Sequence, residues 1–512
     1  MENKDISLLF EEEKDKAPLF SLLESESVGE VGEEFSLPDY VPEVRRILTV
    51  RASVLPESKY LNDTGSPIFL ELGGTVAYSV IYLDREENVC ALPLSSTYFC
   101  KANLSESPKS TDVQTLVDSV SCRVLGPRRL NIKTRLKNKI LSLKEIECEP
   151  KIFPLSSGEE IYEERKYEEI STFESKKIAL DNVKISDKLE IGEGMRPIWC
   201  DAQIDISEVC IKDGEVLVRG EVSVKCLAVN GSETEVYEKT VKLSEGIGVE
   251  DLYLGGSVRV FGRCVSLSLS NEEADGSSDV FFDLTLELLG EVIKAVKTKA
   301  LVDAYSTMYP SKEEYKEIEY FTAERVGTGN FSISEQVKSE GLKNREIITV
   351  FAAPVYEKCE IKGQKAYLVG KITLGVITRP DDPQKEIQFD SFDFPIKYEV
   401  PLENSFKNPL SRNEFSLGKI SATLDSGKLN FNGEILAAYA IYERKNKRVL
   451  ESSEIKTDEK IKRDNATLRV CFPKKGQSLW DLGKRYHTSL ARLSAQNEID
   501  RDAPLEKTFL II

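Results

Sequence analysis

The chain has 512 residues, 40% of them hydrophobic, and a formal net charge of −18. That length calls for three or four domains, each with enough apolar residues for its own core. The acidic balance argues against a nucleic-acid binder held by counterion release, and the one histidine, His487, nearly rules out a histidine metal site or a Ser-His-Asp triad.

Ten cysteines are spread without a C-x-x-C pair, and several, such as Cys226, stand where a strand needs a small apolar side chain. They are expected to be reduced core thiols. No run of 18 apolar residues is present, so no transmembrane helix is expected. The first residues lack a basic segment followed by an apolar one, so the protein is expected to stay in the compartment where it is made.

In chain order, residues 1–35 carry eleven Asp/Glu against three Lys, interrupted by the apolar clusters 6–10 and 18–23. This composition predicts an acidic flexible arm, with a partner-binding peptide as the functional alternative. Beyond it, one pattern recurs at Gly74–Ile81, Gly220–Leu227 and Gly370–Ile377: glycine, polar, apolar, small, apolar, any, apolar, apolar. Alternation of this kind places one face of a strand on a core. The flanks recur too. Lys212-Asp213-Gly214, Asn230-Gly231, Lys362-Gly363 and Asp425-Ser426-Gly427 read as hairpin turns between alternating segments.

The ruler gives three β-rich repeats at 36–155, 176–310 and 331–450. Each is expected to be an antiparallel β-sandwich or barrel, and the three to follow one another as beads in series. The joints Glu159–Lys177 and Lys312–Glu335, rich in Glu, Lys and Tyr, read as extended crossovers, and Glu451–Asp464 as a linker. Residues 467–512 differ: they carry eight Lys/Arg and five Asp/Glu, on a chain otherwise near −21. Their pattern reads strand, helix, helix, strand, with Ser478 as N-cap and Leu479, Leu482 and Tyr486 on one helical face.

The tail resembles the LysM domain. The carriers are Val470, the run Lys475-Gly476-Gln477-Ser478-Leu479-Trp480, Leu482, Gly483, Tyr486, Leu490, Leu493, Asn497 and Leu510-Ile511-Ile512. The resemblance implies a groove formed by Gly476, Gln477, Ser478 and Leu479 with Ile499 and Asp500, whose usual ligand is an N-acetylglucosamine-containing glycan. Trp480 and Asn497 are expected in core and turn. The opening Leu37-Pro38-Asp39-Tyr40-Val41-Pro42-Glu43-Val44-Arg45-Arg46-Ile47-Leu48 is similar to that of the SPOCS domain of spore-coat morphogenesis proteins.

Together these resemblances imply a mainly β protein, with three tandem sandwich-like domains and a small βααβ domain. They imply a non-enzymatic scaffold of the spore coat in the mother-cell cytoplasm, at the forespore surface, with no cofactor and no metal. Its LysM-like module would contact a SpoIVA-like coat ATPase or another coat protein, and the basic tail suits an acidic partner. The alternatives are a glycan-binding envelope protein, an enzyme with paired carboxylates in a cleft between repeats, and a shell component outside sporulation. Gly192-Glu193-Gly194 and Gly327-Thr328-Gly329 lack the strand–helix setting of a nucleotide loop.

Overall fold

The computed structural model describes residues 18–146, 151–152, 163–231, 233–250, 253–272, 279–382, 385–456, 460–462, 469–474, 476–500 and 509–512. The chain is mainly β, and three units repeat one arrangement of six strands. Unit 1 holds β1 (Leu19–Ser36), β2 (Arg46–Asn62), β3 (Ile68–Leu83), β4 (Val89–Leu104), β5 (Ser110–Gly126) and β6 (Arg129–Ile146). The short β7 (Lys151–Ile152) follows. Unit 2 holds β8 (Glu163–Glu190), β9 (Arg196–Lys212), β10 (Glu215–Asn230), β11 (Glu233–Gly248), β12 (Ser257–Glu272) and β13 (Asp279–Ser306). Unit 3 holds β14 (Ser311–Lys338), β15 (Arg345–Lys362), β16 (Lys365–Pro380), β17 (Gln388–Pro401), β18 (Leu410–Asp425) and β19 (Lys428–Ile455).

In each unit the second, third and fourth strands form an antiparallel meander. The sixth strand pairs with both the first and the fifth to make the opposing sheet. The inner faces of the two sheets share one core, in unit 1 Leu70, Leu72, Val76 and Val80 against Leu130, Ile132 and Leu136. The expected hairpins sit at left-handed turn residues, Asp213 and Gly214, Gly231, Gly363, and Ser426 and Gly427.

The recurring glycine has a steric cause. The second strand of each unit carries a bulge directly opposite it, between Pro56 and Ser58, Ile206 and Glu208, and Tyr356 and Lys358. A Cβ on Gly74, Gly220 or Gly370 would lie 2.3, 2.0 or 2.2 Å from the carbonyl oxygen of Leu55, Asp205 or Val355. The end of the motif has a different cause. Val76, Tyr78 and Val80 face the core of unit 1, as Val222, Val224 and Cys226 do in unit 2 and Ile372, Leu374 and Val376 in unit 3. The final residue breaks the alternation, because Ile81, Leu227 and Ile377 point to the other face and meet in a single cluster.

The units are therefore not beads in series. Residues at matching positions converge from all three, which sets them around an approximate threefold axis. At one pole Arg51 reaches Asp201 at 2.7 Å and lies 4.9 Å from the centre of the Phe351 ring. At the other, Phe20, Phe173 and Phe321 share an apolar cluster with Ile293, Leu410, Ala440 and Tyr442. Burying both faces of these strands gives the apolar ends of the repeats a common core.

The first strands also correct the expected boundaries. Residues 19–35 belong to β1 and pair along β6, so that part of the expected arm is sandwich; residues 1–17 lie outside the described residues. The expected joints hold the first part of β8 and nearly all of β14, 28-residue strands that pair with β13 and β19, while residues 159–162 lie outside the described residues. Units 2 and 3 thus begin at 163 and 311 rather than 176 and 331. Residues 451–455 of the expected linker belong to β19, and residues 457–459 and 463–468 lie outside the described residues. No helix is long and apolar enough to cross a membrane among the described residues.

Candidate functional site

The tail folds as β20 (Val470–Cys471), α1 (Leu479–Tyr486), α2 (Leu490–Asn497) and β21 (Leu510–Ile511). Ser478 caps α1 in a reciprocal box: its hydroxyl accepts from the Asp481 amide, and the Ser478 amide donates to the Asp481 carboxylate at 2.8 Å. Both helices end on a left-handed residue, His487 and Glu498. Cys471, Leu479, Leu482, Leu493 and Leu510 form the core. Asn497 ties α2 to β21: its amide nitrogen donates to the Ile511 carbonyl and its oxygen accepts from the Ile511 amide, both at 2.7 Å.

Of the expected groove residues, Gly476, Ser478 and Asp500 are exposed and Gln477 is half-buried. Gly476 has φ +85°, which suits glycine in the turn closed by the Gln477 amide on the Lys474 carbonyl at 3.0 Å. Ile499 is half-buried against the core. Leu479 is 1% exposed and belongs to the core rather than to an open groove wall, because the first helical residue after the cap turns inward here.

Trp480 is buried, but not in the core of the tail. It packs edge-on against Tyr305 with centroids 5.0 Å apart, and its indole N–H donates to Asp303 Oδ2 at 2.7 Å. Lys484, one turn along α1, donates to Asp303 Oδ1 at 2.5 Å and to the Tyr315 hydroxyl at 2.9 Å, and lies 3.3 Å from Glu313. Tyr305 donates to the Thr488 carbonyl at 2.9 Å, and the Leu490 amide donates to Glu164 at 3.0 Å. His487 is half-buried with Nδ1 3.1 Å from the Ser306 carbonyl oxygen. One face of α1 is thus seated on the ends of β13 and β14, and the start of α2 on the end of β8.

The electrostatics match this seating. Burial works to raise the Asp303 pKa, but hydrogen bonds from Lys484, Tyr315 and Trp480 outweigh it and hold the carboxyl below its ordinary value. Burial works to lower the Lys484 pKa, and Asp303 and Tyr315 drive it upward. Part of the positive charge of the tail is therefore spent within the chain. Asp303, Tyr305, Tyr315 and Glu164 carry no sequence signal for this contact, since 160 or more residues separate them from α1.

A second group of charges lies near the axis. Asp112, Arg259 and Arg412 occupy matching places, the third residue of β5, β12 and β18. Arg412 pairs with Asp112 through Nε and with Glu291 at 2.6 Å, and Arg259 lies 3.3 Å from Glu291. Burial works to raise the Asp112 pKa, but Arg412, Lys177 and Arg259 hold it below its ordinary value. Burial pushes the neighbouring Glu414 up to about 7. Asp112, Glu291 and Arg412 also line a cleft of about 720 Å³ between unit 1 and the other two units. Both carboxylates there are neutralised by arginine, an arrangement suited to holding units together. No group of three or more His, Cys, Asp or Glu side chains is placed to hold a metal ion among the described residues.

Comparison with protein-family models, with curated proteins and with solved structures returns no match to this chain.

Proposed function

We propose that the protein is a non-enzymatic scaffold that presents its βααβ module as a fixed docking head. The observation that carries this reading is the division of the module's surface. The α1 face bearing Trp480 and Lys484 is committed to Asp303, Tyr305 and Tyr315. The loops around Gly476–Ser478 and at Asp500 stay exposed. A module held this way has lost most of its orientational freedom before a partner arrives, which lowers the entropic cost of association.

With the resemblance of the tail to LysM and of the opening to SPOCS, the proposed setting is the spore coat. The scaffold would lie in the mother-cell cytoplasm at the forespore surface, with a SpoIVA-like coat ATPase or another coat protein as partner. Contacts from the repeats and the module on one assembly would add through effective concentration.

The test is affinity capture from sporulating cells with the full chain, with residues 467–512 removed, and with Trp480→Ala. The expected result is a coat-protein partner that is lost on removal and weakened by Trp480→Ala. The same partner captured without the module overturns the reading. Binding of N-acetylglucosamine oligomers, abolished by Gln477→Ala with Ser478→Ala, assigns the groove to glycan instead.

A further inference from the structure

Unit 1 and unit 3 meet around a second cavity, of about 430 Å³, which is within the size range of small-molecule sites. Glu24 and Ser25 on β1, Gln114 on β5 and Ile140 on β6 form one wall. Tyr356 and Cys359 on β15, with Ser411 and Asn413 on β18, form the other. Four carboxylates and three cations line the space, so its charges nearly cancel. Most of them are engaged: Asp112 with Arg412, Glu26 with Lys137 at 2.9 Å, and Lys358 with Glu360 at 2.6 Å. Lys139 donates to the Tyr356 carbonyl at 3.1 Å. Such a lining favours a neutral occupant over an ion, whose charge would be desolvated without a matching partner.

What the cavity leaves open is uncharged hydrogen-bonding capacity. Asn413 is 4% exposed, and neither its amide nitrogen nor its amide oxygen has a hydrogen-bond partner among the described residues. It stands near the Tyr356 hydroxyl, which is engaged with the Ser411 hydroxyl at 2.8 Å. The Ser25 hydroxyl is likewise buried without a partner, and Gln114 brings a second, half-buried carboxamide to the same space. A buried polar group without a partner carries its full desolvation penalty. The fold does not require this one. Asn413 is the fourth residue of β18, and the fourth residues of β5 and β12 are Val113 and Val260, which pack with the cores of their units. Where two repeats use valine, the third sets a carboxamide on a cavity.

We propose that this cavity binds a small neutral polyhydroxylated molecule, a sugar or cyclic polyol, through the Asn413 and Gln114 carboxamides and the Ser25 hydroxyl. Each carboxamide offers two donors and an acceptor, and each hydroxyl of such a molecule both donates and accepts, so the two chemistries complement one another. Ile140 and Leu141 give the carbon skeleton an apolar surface, and the exposed Glu24 carboxylate adds an acceptor at the mouth. Bound there, the molecule joins β1 and β5 of unit 1 to β18 of unit 3 and so strengthens the contact that closes the ring of repeats.

The experiment titrates the full chain with glucose, trehalose and myo-inositol, read by saturation-transfer NMR and by the melting temperature. At least one is expected to bind, and to raise the melting temperature of the wild type more than that of Asn413→Val, a comparison that cancels the general stabilising effect of sugars. Asn413→Val is expected to weaken binding about tenfold. It should leave the melting temperature of the unliganded chain unchanged or higher, since an unpartnered amide gives way to the residue the other repeats use. Gln114→Leu is expected to weaken binding as well, and Gln477→Ala with Ser478→Ala in the tail to leave it unchanged. No binding of any of the three probes, or binding that Asn413→Val does not weaken, overturns the proposal. A lower melting temperature in unliganded Asn413→Val shows that fixed water satisfies the amide in the free protein, and overturns it too. Binding of acetamide with none of the three probes assigns the cavity to an amide and also overturns it.

Discussion

Replacing Asp303 by asparagine tests the seating of the tail with one atom. Asp303 accepts from the Trp480 indole at 2.7 Å, Lys484 at 2.5 Å and the Tyr315 hydroxyl at 2.6 Å. An asparagine keeps one acceptor and turns a donor toward groups that are themselves donors. Lys484 would retain only the Glu313 carboxylate at 3.3 Å among its acidic partners. Two charge-assisted hydrogen bonds, each contributing about 1.5–3 kcal/mol, are lost or weakened, and half-burial reduces the sum to about 3 kcal/mol. That corresponds to roughly a hundredfold fall in the ratio of docked to undocked module. The two tryptophans make the assay simple. In protein labelled with 5-fluorotryptophan, the Trp480 resonance is expected to move in Asp303→Asn while Trp199, against Phe351 at the opposite pole, stays in place. The pH dependence has a definite sign. Asp303 sits below its ordinary value of 3.8 when docked, so its contribution is complete above that pH and is lost as the pH falls through the docked value. Acidification should therefore move Trp480 in the wild type and leave the asparagine variant nearly flat. A Trp480 signal unmoved by the substitution, and unmoved by acid, would refute the coupling.

Gly370→Ala places a Cβ 2.2 Å from the Val355 carbonyl oxygen and is expected to cost about 3 kcal/mol, whereas Gly126→Ala, with nothing within 4 Å, should change stability by less than about 0.5 kcal/mol; thermal melts compare them. Arg412→Met leaves Asp112 and Glu291 facing each other without their shared cation, a loss of about 3–5 kcal/mol, and Asp112→Asn with Glu291→Gln in the same chain should recover much of it. Glu414, pushed up to about 7 by burial, contributes stability in full below its ordinary value of 4.5, and that contribution is lost as the pH rises through about 7. Glu414→Gln should raise the melting temperature relative to wild type at pH 8 and lose that advantage at pH 4. Cys200 and Cys264, pushed up to about 12 by burial, should react slowly with thiol reagents at pH 8 until the chain is unfolded.

The repeated glycine strand was legible because each of its features answers to local geometry: a missing Cβ opposite a bulge, then alternation onto a core. The hairpins were legible for the same reason, through Asp213-Gly214 and Ser426-Gly427. The first strand of each unit was not. β1 buries Leu19, Phe20 and Leu22 and then shows Glu24, Glu26 and Glu30 to solvent, a charged edge strand whose composition reads as a polar arm. β8 and β14 hide in the same way behind Glu and Lys. Their partners on β13 and β19 lie about 90 to 145 residues away, and nothing local announces a pairing of that range. The arrangement about an axis left one local trace, the doubled apolar end at Val80-Ile81, Cys226-Leu227 and Val376-Ile377. A strand end buried on both faces requires a second neighbour, and here that neighbour is the next unit. In the tail, the helices and the Ser478 cap were local and readable. The role of Trp480 was not, because Asp303 and Tyr305 belong to unit 2.

The gathering of Ile81, Leu227 and Ile377 also fixes how many repeats the chain can use. A stack of repeats can be lengthened by adding another, since each new copy meets a free end. Three units that turn their strand ends to one centre leave no free end, and a fourth would have no apolar neighbour to join. The centre also rewards divergence. Three identical copies would bring three like charges together at positions 112, 259 and 412, whereas Asp112 beside Arg259 and Arg412, with Glu291 between them, balances there. Covalent linkage of the units is what lets each copy carry a different charge at the same place.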